Sequence, residues 1–360
     1  TQAEESVFCL SVAADQLGVD DPTQGLALLE LALQRLASTE HSASLQKRRA
    51  ELLHRRGNLA SLAGDAELAL QSYREAISLT RQWATEDRQG LASSLLGEAG
   101  ALSSLGQLQA AANSYAEALP LLESSLGESV ELATELMNSA NVLNTLEQAA
   151  LARQRIERAQ AMLRKLGDVD SGHDGHALLE LAKASLTLGE FERALHEAEG
   201  AKQAFIDTLG ADHPYVWFPS FSAARAEQGL GLSVAAQQRI AATLQHYREQ
   251  NDSGMQLRVL QVQTELALDA GNIALADEST RYAAPMVATL PENSLSRHWS
   301  MALQAAVQLA LQHQQPSPDP SGIAHARGLL QASAKALADP LGERHSRVQR
   351  IQHWLVMEKH

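Results

Sequence analysis

Gly57, Ala99, Ala140, Ala182 and Ala224 stand at intervals of 42, 41, 42 and 42 residues, each inside the same local pattern of leucines, small residues and a turn. A fixed period in this range, built only from helix-compatible residues, is what a stack of helix pairs produces. No pair can bury its apolar face alone, so each buries it on the next. A chain built this way acts through a surface rather than a catalytic pocket.

Around Gly57 the pattern runs Leu53, Gly57, Ala60, Gly64, Ala69, Tyr73, Ala76. Small residues are needed where helices cross, and Leu53 and Tyr73 fill the gaps between them. Gly64 falls in the turn, where a positive φ ends the first helix. The next unit gives Leu95, Ala99, Leu102, Gly106, Ala111, Tyr115 and Ala118. A third reads Leu136, Ala140, Leu143, Ala152, Ile156 and Ala159, with Glu147 in place of the turn glycine. Leu178, Ala182, Gly189, Ala194, Ala198 and Ala201 make a fourth. Ala224, Gly231, Ala236, Ile240 and Thr243 make a looser fifth, and Thr264, Gly271, Ala276, Thr280 and Ala283 keep the frame.

The pattern resembles the tetratricopeptide repeat, whose first helix carries the first three positions and whose second carries Ala, aromatic, Ala. The resemblance implies an all-α, right-handed superhelical solenoid of about eight helix pairs plus a terminal capping helix, forming one domain over residues 1–360. A degenerate first pair is expected at 3–37, with Ala13 at the small position, Gly25, Leu29 and Ala32 on its second helix, and a turn at Val19-Asp20-Asp21-Pro22. The clearest repeats lie in 50–250, and degenerate ones in 255–338. Pro316, Pro318 and Pro320 make 314–320 an extended insertion, since such a run cannot be helical. The unpaired helix is placed at 341–357, where it closes the apolar end of the stack.

The period exceeds the 34 residues of the common repeat and is similar to that of the kinesin-light-chain-like subclass. Leu209-Gly210-Ala211-Asp212-His213-Pro214-Tyr215-Val216 resembles the connection joining repeats there. Asp212 is suited to cap the following helix, and Pro214 to its first turn. Leu, Gly, His and Val recur at a constant offset of 132 in Leu341, Gly342, His345 and Val348, marking another helix start.

A formal charge of −14 argues against direct binding of nucleic acid, which needs a basic footprint. No twenty-residue apolar run is present to span a membrane, and the acidic, polar start is unlike a signal peptide. Cytoplasmic placement follows, or periplasmic if a membrane segment lies upstream. Position 1 is Thr rather than Met, so the chain is expected to be part of a larger protein. Six lysines against 23 arginines fit a GC-rich bacterial genome. The single cysteine, Cys9, lies between Phe8 and Leu10 and reads as a small core residue.

The sequence has no GxxxxGK, HExxH, paired CxxC or GxSxG motif. Ser171-Gly172-His173-Asp174-Gly175-His176 gathers two histidines and an aspartate, but zinc needs further ligands, and the segment reads as a connection between repeats. No catalytic residue, metal or cofactor is assigned, and the chain is not expected to be an enzyme.

In the repeat family the first helix of each pair lines the concave groove. The resemblance transfers that role to Glu51, His54, Arg55, Asn58 and Ser61. It also marks Ser93, Leu96, Gly97, Gly100 and Ser103, then Thr134, Met137, Asn138, Asn141 and Asn144. Later repeats give His176, Leu179, Glu180 and Lys183, then Phe218, Phe221, Ser222, Arg225 and Gln228, then Arg258, Gln261 and Glu265. Asparagine is a poor helix former, so Asn138, Asn141 and Asn144 on one stripe call for a cause. Their amides suit the backbone of an extended peptide, as in the asparagine stripes of similar superhelices, or else bond neighbouring helices. Asn58 resembles the asparagine of the family's carboxylate clamp, but His54 stands where the clamp has lysine.

Phe218 and Phe221, beside Trp217, either anchor an apolar partner side chain or pack in the core around Pro214 and Pro219. Lys183, Arg225 and Arg258 make the groove cationic, which points to an acidic, extended segment as ligand. The expected groove set is thus Asn58, Asn138, Asn141, Asn144, Lys183, Phe221, Arg225 and Gln261. The resemblance implies a protein-interaction or regulatory region of a bacterial regulator, such as a serine/threonine kinase or transcription regulator. The alternative is a sensor of a small molecule or short signalling peptide.

Overall fold

The computed structural model describes residues 2–18, 20–37, 43–83, 87–167 and 173–356. These form seventeen α-helices and no strand. The pairs are α1 (Gln2–Gly18) with α2 (Pro22–Ala37), α3 (Ala43–Leu62) with α4 (Ala66–Thr80), α5 (Arg88–Ser104) with α6 (Leu108–Leu126), and α7 (Val130–Thr145) with α8 (Ala149–Leu166). Then follow α9 (His173–Thr187) with α10 (Phe191–Leu209), α11 (Pro219–Gly229) with α12 (Ser233–Glu249), α13 (Ser253–Asp269) with α14 (Ile273–Ala288), and α15 (Leu295–His313) with α16 (Pro320–Leu341). α17 (Ser346–Val356) is followed by no second helix among the described residues. Eight pairs and a terminal helix are as the repeat pattern requires. The chain divides into two compact units, Thr1–Val142 and Leu143–His360.

The periodic small residues sit where helices touch: Ala99, Ala140, Ala182 and Ala224 are each fully buried. Gly57 shows why. A Cβ there would meet Cε1 of Tyr73 at 2.6 Å, and one on Gly97 would meet it at 2.4 Å, so the ring is clamped between two bare backbones. Gly64 takes φ +78° in its turn, and Glu147, at the equivalent place, takes φ +59° in spite of its side chain. Side chains of Asp65, Asp87, Asp252, Asn272 and Ser294 accept backbone N–H bonds at helix starts, supplying the caps that free N–H groups demand.

Several expectations are corrected. Leu341 is the last residue of α16 rather than the first of the terminal helix, which begins at Ser346; Met357 lies outside the described residues. Pro320 opens α16 as its first helical residue, where its missing N–H costs nothing, with Asp319 accepting from Ser321 N and Gly322 N. His213, not Asp212, caps the turn at Pro214, its Nδ1 accepting from Tyr215 N. Ala14 rather than Ala13 is the buried small residue of α1, and Cys9 is exposed. Val19, Ser171 and Gly172 lie outside the described residues. No described helix is long and apolar enough to cross a membrane.

Candidate functional site

In Leu143–His360 the first helices face one another across a shared surface. Asn144 Nδ2, at the end of α7, donates to the backbone oxygen and to Oε2 of Glu180 on α9, each at 2.9 Å. Arg225 on α11 donates to Glu265 Oε2 on α13 at 2.9 Å. Gln261 on α13 donates to the Oγ atoms of Ser296 and Ser300 on α15 at 2.9 and 2.8 Å. Each bond joins the first helix of one pair to the first helix of the next. In Thr1–Val142 the same rung links His54 Nδ1 on α3 to Ser94 Oγ on α5 at 3.2 Å.

Glu265 is the electrostatic centre of this face. It is 7% exposed, and its second oxygen accepts from Trp299 Nε1 at 2.8 Å. Burial raises its pKa, but Arg225, then Arg347 and Arg350, outweigh burial and hold it down to about 2. Arg347 and Arg350 belong to α17, so the last helix turns onto the face lined by α11, α13 and α15. Arg350 pairs with Asp269, Arg347 lies 5.0 Å from the ring centre of Trp299, and Trp354 stacks on Trp299 at 5.9 Å. The start of α17 meets the turn between α7 and α8: His345 Nε2 donates to Thr145 O at 2.9 Å, and Ser346 N to Glu147 Oε2 at 2.8 Å. A row of helices brings its two ends together this way only by curving toward that side. The first-helix face of Leu143–His360 is therefore its concave one.

No protein-family model matches the chain. No curated protein matches it either. Among solved structures, a Rap protein complexed with Competence and Sporulation Factor is similar over 98% of this chain and 99% of its own, at 14% identity and TM-score 0.64. The apo form of RapI is similar over 99% and 97%, at 12% identity and TM-score 0.60. A tetratricopeptide repeat protein from Parabacteroides merdae covers 82% of this chain and 99% of itself, at 15% identity and TM-score 0.55. The fold is that of the tetratricopeptide-repeat proteins.

Within this tetratricopeptide fold the expected groove residues divide by what they touch. Asn144, Arg225 and Gln261 hold neighbouring first helices together. Lys183 donates to the fully buried Glu180 at 2.5 Å. Asn58, in place of a carboxylate clamp, has its oxygen taken by Tyr73 OH at 2.7 Å and its nitrogen beside His54 Nε2 at 3.3 Å. Asn138 reaches Glu135 Oε2 at 3.3 Å; Asn138 and Asn141 are both half-buried. Phe221 is only 9% exposed and belongs to the core around Ile240, Tyr247 and Leu260, so it is packing first and a platform for Arg258 second, the guanidinium lying 5.6 Å from its ring centre. Met137, Leu179 and Ser222, transferred to the groove, are likewise buried. Arg347, Arg350 and Trp354 were missed. The offset-132 recurrence places a helix start before them but cannot say which face they meet.

Proposed function

We propose that this chain is a non-catalytic interaction module that holds an extended protein or peptide segment against the first-helix face of its repeats, as the sensing or partner-binding part of a bacterial regulatory protein. The observation that carries the reading is the make-up of the concave face of Leu143–His360. Lys183, Arg225, Gln228 and Arg258 stand on it, with part-exposed Phe218 and Met255 at the N-terminal ends of α11 and α13, in a chain with only 4% aromatic residues. Arginine, aromatic residues and methionine are the residue types that protein interfaces concentrate. Tetratricopeptide folds are used in this way, and a Rap protein of similar fold was crystallised with Competence and Sporulation Factor.

The test is selection from a displayed library of randomised decapeptides against the whole chain. Enriched peptides should bind the parent, and Gln228→Ala should weaken them several-fold with an unchanged melting curve. Arg281→Ala, on the second helix α14 and, among the described residues, paired only with its own helix neighbour Asp277, should do neither. Absence of any enriched peptide contradicts the reading. A metabolite that raises the melting temperature in the absence of peptide would favour the small-ligand sensor.

A further inference from the structure

α17 is thinly held. Of its eleven residues Val348 and Ile351 are buried, whereas α13 and α15, on whose side chains it lies, bury ten and eight. Its link to α16 is Gly342-Glu343-Arg344-His345, of which the first three are exposed, and Gly342 takes φ +93°. A helix this short has little stability by itself in water. α17 is therefore a helix where it docks and a flexible tail where it does not.

Its polar and aromatic contacts come from a single stripe. Arg347, Arg350 and Trp354, at spacings of three and four, share one face of α17. They meet a receptor built from two neighbouring first helices. Asp269, the last residue of α13, takes Arg350. Trp299 on α15 takes the other two: Arg347 lies 5.0 Å from its ring centre, and Trp354 stacks on it at 5.9 Å with the ring planes 19° apart. Arg350 in turn lies 5.7 Å from the ring centre of Trp354. Trp299 is held in place by its Nε1 bond to Glu265. An indole face flanked by carboxylates attracts guanidinium and aromatic groups, and anchors three and four residues apart are how a groove reads a helix.

We infer that Glu265, Asp269 and Trp299 form a docking site for a partner helix with two arginines and a tryptophan at the spacing of Arg347, Arg350 and Trp354, and that α17 is the internal occupant such a partner displaces. Charge complementarity sets the chemistry of the partner, and α17 sets the spacing of its anchors. The site takes a helix at one end of the face and so is separate from the extended-segment reading.

The probe is a labelled peptide of residues 341–356, acetylated and amidated, with anisotropy as the readout on the whole chain. A site closed by its own helix binds a competitor with an affinity reduced by the closed fraction. R350E/W354A, with both changes on α17, opens it. The peptide should bind the opened chain at least about tenfold more tightly than the parent, and a peptide itself carrying R350E and W354A should bind neither. D269N, at a half-exposed side chain, should weaken the peptide several-fold when added to the opened chain, with an unchanged melting curve. Equal binding to parent and opened chain, or none to the opened chain, overturns the inference. So does binding to the opened chain that ignores D269N or the loss of the peptide's own anchors. A concentration-dependent dimer of the parent in light scattering, abolished by R350E/W354A, would overturn the choice of a separate partner and make a second copy's α17 the occupant. Decapeptides from the library that bind parent and opened chain alike would leave the extended-segment reading standing when this site fails.

Discussion

His345 Nε2 donates to the backbone oxygen of Thr145 at 2.9 Å, across 200 residues of chain, while its Nδ1 accepts from Arg347 N at 3.2 Å. A carbonyl can only accept and a backbone N–H can only donate, so both bonds require the neutral ring with its proton on Nε2. The histidine thus closes Leu143–His360 and caps α17 at once.

Protonating His345 puts a second donor against Arg347 N. Burial above all holds its pKa below the ordinary histidine value; Glu147 and Thr145 raise it and Arg347 lowers it further. The docked-state pKa is the lower one. Docking is therefore stabilised fully above the free value of about 6.5, and this contribution is lost as pH falls through the depressed value. Hydrogen exchange in residues 346–356, corrected for intrinsic rates, should be slow at about pH 7.5 and markedly faster at about pH 5. His345→Gln keeps a donor toward Thr145 without the titration and should flatten the profile. Protection equal at both pH values in the parent would contradict the latch.

Arg225 and Asn144 are structural before they are anything else. Removing Arg225 leaves Glu265 buried with its strongest partner gone, and the guanidinium is itself partly exposed, so Arg225→Ala should cost about 1–3 kcal/mol in denaturant melts. Asn144→Ala, which strips two bonds from fully buried Glu180, should cost a similar amount. A melt superimposable on the parent's for either variant would contradict the rungs.

The depressed pKa of Glu265 makes acid a specific denaturant. Its folded-state value, about 2, lies below the ordinary 4.5, so the carboxylate contributes stability above the ordinary value and loses it as pH falls toward the lower one. The contribution is of order 3 kcal/mol. Glu265→Gln should be less stable at neutral pH and show a shallower loss of stability between about pH 5 and pH 2. Parallel curves for parent and variant would deny the carboxylate this part.

Tyr73 is held by its glycines. Gly57→Ala or Gly97→Ala drives a Cβ into the ring and should cost roughly 1–3 kcal/mol, whereas Tyr73→Leu in the same chain should recover part of that loss. Ala69→Phe and Ala111→Phe, at fully buried crossings, should cost at least as much. If Gly57→Ala and Tyr73→Leu were strictly additive, the clamp would be wrong.

The fold was legible because steric demands repeat. A crossing admits only a small residue, and five such residues at one period mark five crossings whatever lies between. Even Glu147 was marked by position as a turn residue, and it adopts the turn's positive φ. The site was less legible. Which first-helix residues face the groove follows from helical spacing, but whether Asn144 or Gln261 points to a ligand or to the next helix depends on the neighbour 35 to 40 residues away. The arrival of α17 is further still from local pattern: Arg347 sits by Glu265, and His345 by Thr145, only because the curvature of many small rotations brings them together. Phe221 was ambiguous for the opposite reason. An aromatic at helical spacing looks the same whether it fills a core or lines a groove.

The most direct test of segment binding on the concave face is site-specific photo-crosslinking with a library-selected peptide. A benzophenone side chain at position 228, on the first helix α11, should yield a covalent peptide adduct that excess unlabelled peptide abolishes. The same group at position 281, on the second helix α14, should yield none. Adducts at 281 with none at 228 would place the partner on the other face and contradict the reading.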